Sequence, residues 1–450
     1  MSQNQPADSS ISASGGDILP AILAAQSDPR ALEDLYRSAR EAKTTHAYTL
    51  AIETAYRETP DNLLFAAWHY RLQSVATEEP SARHANWRLA IPLSVALALI
   101  FWLLSDPGLI LARHVPYLAE IWAPITALAL IAFLIFTARQ GYNRAGLIGI
   151  GLIGVTAYAL VMALRAVSTT QSQYLTMIGL HLPLLAAVAV GLAVLGWGSS
   201  ARNRFAFLNK SIETIGTAGV AVIAGGIFVG LTYGVFQAIS VEIPDVFVRL
   251  LIAGGAGLIP VLAVASVYDP TLNASEQDFR RGFGRILTIL MRALLPLTLL
   301  VLVIYICFIP FNFTQPFNNR NVLIVYNVLL FAIIGLLIGV TPVSRDDVPS
   351  RYVAWLRGGI IALAALVTLV GLYALAAIIY RTTQDHLTMN RLVVLGWNII
   401  NIAILALLLF RQLRANKTAW VDALQSTFRF GTALYAVWGL LLVLALPWLY

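Results

Sequence analysis

The chain has 450 residues, of which 58% are apolar and only 12% are charged, whereas soluble domains carry about 25% charged residues. Its formal charge of +7 is unevenly divided: residues 1–88 carry 8 Lys and Arg against 11 Asp and Glu, and the remainder carries 22 against 12. Because short loops between membrane spans retain Lys and Arg, this basic excess does not indicate nucleic-acid binding. The single cysteine, Cys307, excludes a disulfide within the chain and a cysteine-type zinc site.

The segment before the apolar runs predicts a polar tail and a small helical domain. Residues 1–16 have no charged region followed by an apolar core, so we expect a disordered tail and no signal peptide. Residues 17–86 predict three or four short cytoplasmic helices, two of them starting at an N-cap followed by proline, at Asp28 and at Thr59. One helix pair is similar to a tetratricopeptide unit, but a solenoid needs about three. The segment is interpreted as a small helical cap or as a docking domain that contacts a protein partner through residues 17–76.

From residue 89 onward the chain predicts an all-α, polytopic transmembrane helical protein. Apolar runs of about 18 residues or more can cross the hydrocarbon layer, which is about 30 Å thick. In lipid each span must satisfy its own backbone hydrogen bonds, so the spans are helices. The eleven predicted spans are residues 89–105, 117–136, 145–164, 174–195, 214–239, 247–268, 286–309, 321–341, 353–380, 391–410 and 430–449.

Loop charges predict the orientation. If the N-terminus is cytoplasmic, the inside segments carry sixteen Lys and Arg and the outside segments carry six. This bias predicts a multi-pass protein of the plasma (inner) membrane with its N-terminus cytoplasmic and its C-terminus outside.

Recurring markers predict an internal repeat. STTQSQYLTM, residues 168–177, and YRTTQDHLTM, residues 380–389, are six spans apart, as are the R-x-x-x-P-L-[ST] motifs at Arg88 and Arg292. An even number of intervening spans gives both copies the same orientation, which predicts two parallel halves of five spans with span 6 between them, a 5+1+5 arrangement. The predicted boundaries are a tail at 1–16, a cytoplasmic helical domain at 17–86, repeat 1 at 87–245, a connector at 246–284 and repeat 2 at 285–450.

The second half also resembles a known family. RALLPLTLL, followed by an aliphatic span, and YRTTQDHLTMNRL are similar to segments of bacterial polytopic membrane proteins catalogued as a domain of unknown function. The resemblance covers about residues 285–410. This chain has Asp385-His386 where the family prefers Tyr-Gly before Leu-Thr. The resemblance implies the fold and the membrane location, and it implies no activity.

Some candidate residues lie near the predicted span ends. Arg88 and Arg292 would reach the lipid headgroups by snorkelling, or form a symmetric pair of contacts to anionic headgroups. The two TTQ segments predict either turns whose final threonines, Thr176 and Thr388, cap the next spans, or a pair of polar outer gates. The residues of this outer-loop motif are Thr169, Thr170, Gln171, Thr382, Thr383 and Gln384.

Other candidates lie within spans. Asn398 and Asn401 share a face of span 10, which predicts an interhelical hydrogen bond or a contact with cargo. His181 in span 4 predicts a structural hydrogen bond or a ligand contact. Span 5 carries a doubled G-x-x-x-G, which predicts close packing between the halves or, as the alternative, a pore lining. Its glycines are Gly226, Gly230 and Gly234.

The missing motifs limit the function. Glu120 and Glu213 lie near span ends, and no carboxylate is predicted at mid-membrane, which disfavours proton-coupled transport. There is no H-E-x-x-H, G-x-S-x-G or P-loop motif, so the sequence predicts no catalytic residues, no metal and no cofactor. Two functions remain in competition, ahead of a membrane enzyme. One is a transporter-like protein for a neutral or lipid-like molecule, and the other is a non-catalytic scaffold or accessory subunit that docks through its cytoplasmic helices.

Overall fold

The computed structural model describes residues 18–41, 44–78, 85–112, 115–238, 240–279 and 282–450. The tail predicted at residues 1–16 lies outside the described residues. The chain divides into two compact units, Met1–His84 and Ala85–Tyr450.

The described residues of the N-terminal unit form four helices. They are α1 (Ile18–Ala24), α2 (Pro29–Glu41), α3 (Thr45–Glu58) and α4 (Leu63–Glu78). The other three helices pack against α3, and Tyr48, Phe65 and Trp68 are buried in their shared core. The Tyr48 hydroxyl donates a 2.9 Å hydrogen bond to the Leu32 carbonyl, which joins α3 to α2.

One predicted helix start is confirmed and the other is wrong. Asp28 caps α2, because its Oδ1 accepts hydrogen bonds from the backbone N–H groups of Arg30 (2.9 Å) and Ala31 (3.2 Å). Thr59 does not start α4. Its backbone N–H and hydroxyl are both bonded to a carbonyl at the end of α3, and the cap of α4 is Asn62, whose Oδ1 accepts from the N–H of Leu64 at 2.9 Å.

The membrane unit is a bundle of long apolar helices. In the part of the chain that the structure describes, eleven helical segments are long and apolar enough to cross a membrane, which confirms an all-α, multi-pass membrane fold. The sixth is α10 joined through a π-helical turn, Leu250–Gly254, to α11. The helices are α5 (Trp87–Leu104), α6 (Tyr117–Ala138), α7 (Tyr142–Arg165), α8 (Ser168–Leu195), α9 (Ala201–Ala238), α10 (Asp245–Arg249), α11 (Gly255–Val267), α12 (Gly282–Phe308), α13 (Gln315–Asn318), α14 (Arg320–Val340), α15 (Ser350–Gln384), α16 (Met389–Arg414) and α17 (Trp420–Leu449).

Several helices continue beyond their apolar runs. Helix α9 begins 13 residues before the predicted span at 214, so the segment predicted as a basic loop is helical. Helix α15 continues through Gln384. A short antiparallel pair of strands, β1 (Ile110–Ala112) and β2 (Val115–Pro116), which was not predicted, lies between α5 and α6.

The helix contacts partly follow the predicted repeat. In the first half α6, α7 and α8 pack against one another and α5 packs on α6; six spans later α14, α15 and α16 do the same and α12 packs on α14. The fifth helices differ, because α17 packs closely on α16 whereas α9 barely touches α8. Helix α17 also packs against α7, α8 and α9 of the first half. The exact repeat symmetry stays a prediction.

Candidate functional site: a buried polar cluster between α8, α16 and α17

A histidine and a tryptophan join α8 to α16 inside the bundle. Trp397 Nε1 lies 3.0 Å from His181 Nε2, and the two rings are nearly parallel, with 14° between their planes. An indole N–H can only donate, so Nε2 of His181 accepts and its Nδ1 carries the proton. That Nδ1 lies 2.6 Å from the Met177 carbonyl, one helical turn earlier. His181 is therefore a neutral imidazole with both ring nitrogens bonded.

An asparagine and a tyrosine join α16 to α17 beside this pair. The Tyr435 hydroxyl donates to Oδ1 of Asn401. The Tyr435 ring packs edge-on against Trp397, with 5.0 Å between ring centroids, and Phe331 of α14 packs against both rings. Three aromatic rings thus pack against one another beside the polar atoms.

Four buried polar atoms of this cluster have no hydrogen-bond partner among the described residues. They are Oδ1 and Nδ2 of Asn398, Nδ2 of Asn401 and Nε1 of Trp438, and the two asparagines are fully buried. A buried polar group without a partner costs about 1–3 kcal/mol. These side chains are neutral, so the cluster is suited to a neutral hydrogen-bonding group, such as water or an uncharged polar molecule.

The cluster is nevertheless closely packed. A Cβ on Gly396 would lie 2.0 Å from Cζ2 of Trp438, so this glycine is what allows α17 to approach α16. Neither of two cavities lined by described residues, of about 10 and 80 Å³, includes Asn398 or Asn401. Through Trp397 and Tyr435 the structure places His181 and Asn401 in one cluster, and Asn398 lies three residues before Asn401 on the same helix. The structural hydrogen bond predicted for His181 and the interhelical hydrogen bond predicted for Asn401 are both present.

The predicted role of the glycines in span 5 is wrong. Among the described residues nothing lies within 4 Å of a Cβ built on Gly226, Gly230 or Gly234. These glycines therefore neither pack the halves together nor line a pore within the described bundle. The physical reason is that only the first part of α9 packs into the bundle; beyond it large apolar side chains such as Ile227 and Leu231 are exposed by 59% and 66%.

The TTQ segments are helical, which corrects their prediction as an outer-loop motif. Thr169, Thr170 and Gln171 lie in the first turn of α8, and residues 382–384 (Thr382, Thr383 and Gln384) lie in the last turn of α15. In the first copy Gln171 Nε2 donates a 3.0 Å bond to the Ala163 carbonyl, so it caps the preceding helix. In the second copy Asp385 has extended backbone and ends the helix.

Only one of the two predicted threonine caps is present. The Thr388 hydroxyl accepts from the N–H of Arg391 at 3.4 Å and caps α16. Thr176 lies inside α8, where its hydroxyl donates to the Ser172 carbonyl, because that helix already begins at Ser168.

The arginine pair is not symmetric. Arg88 is exposed in the first turn of α5, where a lipid headgroup can be reached. Arg292 is the eleventh residue of α12 and is half-buried, and its Nε has no partner among the described residues. The two arginines therefore do not occupy equivalent positions in their helices, because α12 begins at Gly282 and places Arg292 well inside the helix, and their headgroup contacts stay a prediction.

A buried ion pair was missed by the sequence reasoning. Lys210 Nζ donates to Glu213 Oε2 at 2.7 Å, and the two side chains are only 1% and 5% exposed. The same ammonium group donates to the Asp278 carbonyl and lies 4.9 Å from the centre of the Phe279 ring. The K-x-x-E spacing was visible in the sequence, but both residues were assigned to a loop or a span end because α9 was predicted to start at residue 214.

A second missed feature holds the end of α17. Pro447 has no N–H, which frees the Val443 carbonyl four residues earlier. The hydroxyl of Tyr174 donates to that carbonyl at 2.8 Å, and Tyr158 donates to the Leu444 carbonyl, also at 2.8 Å. Tyr174 of α8 thus donates to the carbonyl that the proline leaves without a partner, and Tyr158 of α7 donates to the next carbonyl.

No family model, curated protein or solved structure matches this chain. The resemblance to the bacterial domain of unknown function therefore stays a prediction. Over residues 18–41, 44–78, 85–112, 115–238, 240–279 and 282–450, no group of three or more His, Cys, Asp or Glu side chains is arranged to hold a metal ion.

Proposed function

We propose that this protein is a membrane-embedded scaffold or accessory subunit that binds a transmembrane helix of a partner polypeptide along the second half of α9. The observation that carries this proposal is the open surface of α9. We further propose that it resides in the plasma (inner) membrane of a bacterium, with the N-terminal unit cytoplasmic and the C-terminus outside.

The lack of charge on the second half of α9 and its glycines support an apolar helix as the partner. Residues 214–241 contain no charged side chain, so the partner surface is apolar. The face of α9 that is partly covered carries Ala221, Gly225 and Val229, and Gly230 lies on the opposite, open face. An apolar helix surface gains similar energy from contact with lipid chains and from contact with the apolar side chains of another helix. A glycine stripe lets the backbone of a second helix come close, which favours a helix over lipid.

The N-terminal unit supports the same function. Its four helices enclose a core of their own, and the membrane unit forms separate cores. A small helical unit with its own core, in the same chain as a membrane bundle, is suited to recruit a second protein.

The test fills the glycine stripe of α9 in the full chain. Gly230→Leu adds a side chain on the open face, and Ala224→Leu, also at an exposed position of the same helix, is the matched control. We expect native mass spectrometry in mild detergent to show wild type and Ala224→Leu with a stoichiometric membrane partner, which Gly230→Leu loses at unchanged thermal stability. A wild-type protein that carries no second polypeptide, or a Gly230→Leu variant that keeps it, refutes the proposal.

Transport of a neutral polar molecule is a second candidate. The unpartnered amide of Asn398 favours it, because intramembrane polar groups mark substrate paths. In proteoliposomes we expect Asn398→Leu with Asn401→Leu to abolish glycerol or urea flux measured by light scattering, whereas Asn327→Leu in α14 retains it. Equal flux for all three proteins and for empty liposomes rejects transport of these solutes.

A further inference from the structure

The larger of the two cavities named above lies at the end of the bundle where α6 ends, α7 begins, α8 ends and α9 begins. It is a cleft partly open to solvent with room for water over about 80 Å³, and the segment after α11 closes its remaining side. Leu134, Ile135 and Val194 form apolar parts of its wall, and Gln140, Arg144 and Asn273 contribute polar groups. Its lining includes an arginine and no carboxylate among the described residues.

Arg144 is held rigidly in this wall. Its Nε donates to the Ala193 carbonyl at 2.9 Å and its Nη2 donates to the Val194 carbonyl at 3.0 Å, two carbonyls of the last turn of α8. Its Nη1 lies against Gly196, which has φ +76° and where a Cβ would come within 2.6 Å of that nitrogen. Among the described residues the partners of Arg144 are these two carbonyls and not a carboxylate, so a fixed positive charge with unused N–H donors faces the cleft.

Tyr268 is the second observation that points to a ligand. Its side chain is 6% exposed and lines the cleft, and its ring packs edge-on against Phe207. In the described part of the chain its hydroxyl has no hydrogen-bond partner. The ring is buried while the hydroxyl stays accessible from the cleft, so Tyr268 offers a donor to whatever occupies the cleft.

The first turn of α9 adds further donors. Oδ1 of Asn203 accepts from the N–H of Ser275 at 3.2 Å, so its amide NH₂ is left to face the cleft. The backbone N–H of Asn203 is already bonded to Ser200 Oγ at 3.2 Å, so the side-chain amide is what this turn offers to the cleft. The cleft thus combines a fixed guanidinium, a phenol and an amide with an apolar wall.

We propose that this cleft binds a phosphate group, carried either by an anionic membrane lipid or by a free small phosphate. A phosphate offers several acceptor oxygens and a negative charge, which match the donors and the charge of this wall. The apolar residues suit the glycerol and upper acyl part of a lipid. This proposal does not depend on the partner helix proposed for α9.

The test uses the full chain, purified and delipidated in neutral detergent. One arm adds phosphatidylglycerol or phosphatidylcholine in mixed micelles, and the other adds inorganic phosphate against chloride at equal ionic strength. Native mass spectrometry and the thermal midpoint report binding. Binding of phosphatidylglycerol over phosphatidylcholine identifies a lipid headgroup as the source, and a response to inorganic phosphate alone identifies a free phosphate.

Three variants locate the binding site. We expect Tyr268→Phe, which removes a hydroxyl that bonds to no described residue, to weaken binding about three- to tenfold without loss of fold. Arg144→Gln should weaken it about tenfold to a hundredfold, and the control Arg202→Gln, an exposed first-turn position of α9 outside the cleft, should leave it unchanged. The proposal is overturned if neither arm shows binding, or if the two lipids bind equally and inorganic phosphate gives no response. It is also overturned if Tyr268→Phe binds like wild type, or if the two arginine variants lose the same affinity.

Discussion

Replacing Lys210 by methionine tests the buried ion pair of α9, whose lysine also bonds to the segment before α12. Lys210 and Glu213 are 1% and 5% exposed, and a 2.7 Å bond joins them. Lys210→Met leaves the Glu213 carboxylate buried without its cation. A Cβ on Gly284 would lie 2.7 Å from that carboxylate, so the glycine of α12 packs directly against it and leaves little room for relaxation.

The expected cost follows from burial. Removing one partner of a buried ion pair costs about 3–5 kcal/mol, because the remaining charge has lost its compensation. Replacing both partners by apolar residues is often neutral or stabilising. In Lys210→Met with Glu213→Leu, the lost bond to the Asp278 carbonyl should cost about 1 kcal/mol, so we expect the double variant within about 2 kcal/mol of wild type.

The assay is equilibrium unfolding in mixed micelles, followed by far-ultraviolet circular dichroism. The control is Arg345→Met, which removes an exposed pair with Asp422, whose side chains are 45% and 71% exposed, and should cost less than about 1 kcal/mol. A Lys210→Met variant that loses less than about 1 kcal/mol, or a double variant as unstable as the single one, refutes the reasoning.

Two further changes test packing and pH dependence. Gly396→Ala places a methyl group against Trp438 and should lower the free energy of unfolding by about 1–3 kcal/mol. In the control Gly358→Ala the added methyl group meets nothing within 4 Å, so this variant should be stabilised by up to about 1 kcal/mol. If unfolding experiments give the reverse order, the close packing at Gly396 is contradicted. A hydrogen bond from Arg391 holds the pKa of Asp385 below its usual value, so this contact adds stability above pH about 4 and loses it as pH falls through the lower, folded pKa. Backbone hydrogen exchange at residues 386–391, corrected for intrinsic rates, should show constant protection from pH 5 to 8 and a loss of protection below about pH 4. Asp385→Asn should remove this pH dependence. If the pH dependence persists in the variant, the Asp385–Arg391 contact is not its cause.

Features that depend on neighbouring residues were predicted well. Apolar runs predicted eleven spans, and the described residues contain eleven candidate helices. The cap at Asp28 was predicted because a short side chain that accepts hydrogen bonds, followed directly by proline, marks a helix start within a few residues of sequence. The same kind of signal failed at Thr59, where a stronger local acceptor, Asn62, lies three residues later.

The candidate site was only partly predictable. Polarity at mid-span singled out His181, Asn398 and Asn401, because such groups seldom face lipid. Their partners could not be predicted: Trp397 lies 216 residues from His181 in the chain, and Tyr435 is one of many aromatic residues in the apolar helices. The glycine stripe failed in the opposite direction, because G-x-x-x-G permits close packing but does not specify that a helix of the same chain provides it.

The sequence by itself determined the membrane environment of this protein, its helical class, its number of spans and a few helix starts such as that at Asp28, since hydrophobicity, backbone satisfaction in lipid and capping act over a few residues. Only the tertiary structure decided which helix faces which. It buried Lys210 with Glu213, paired His181 with Trp397, left the second half of α9 open and gathered Arg144 and Tyr268 around one cleft. The physical reason is that apolar spans are nearly interchangeable as lipid-facing surfaces, so their mutual arrangement depends on side-chain shape and on a few hydrogen bonds between residues distant in the chain.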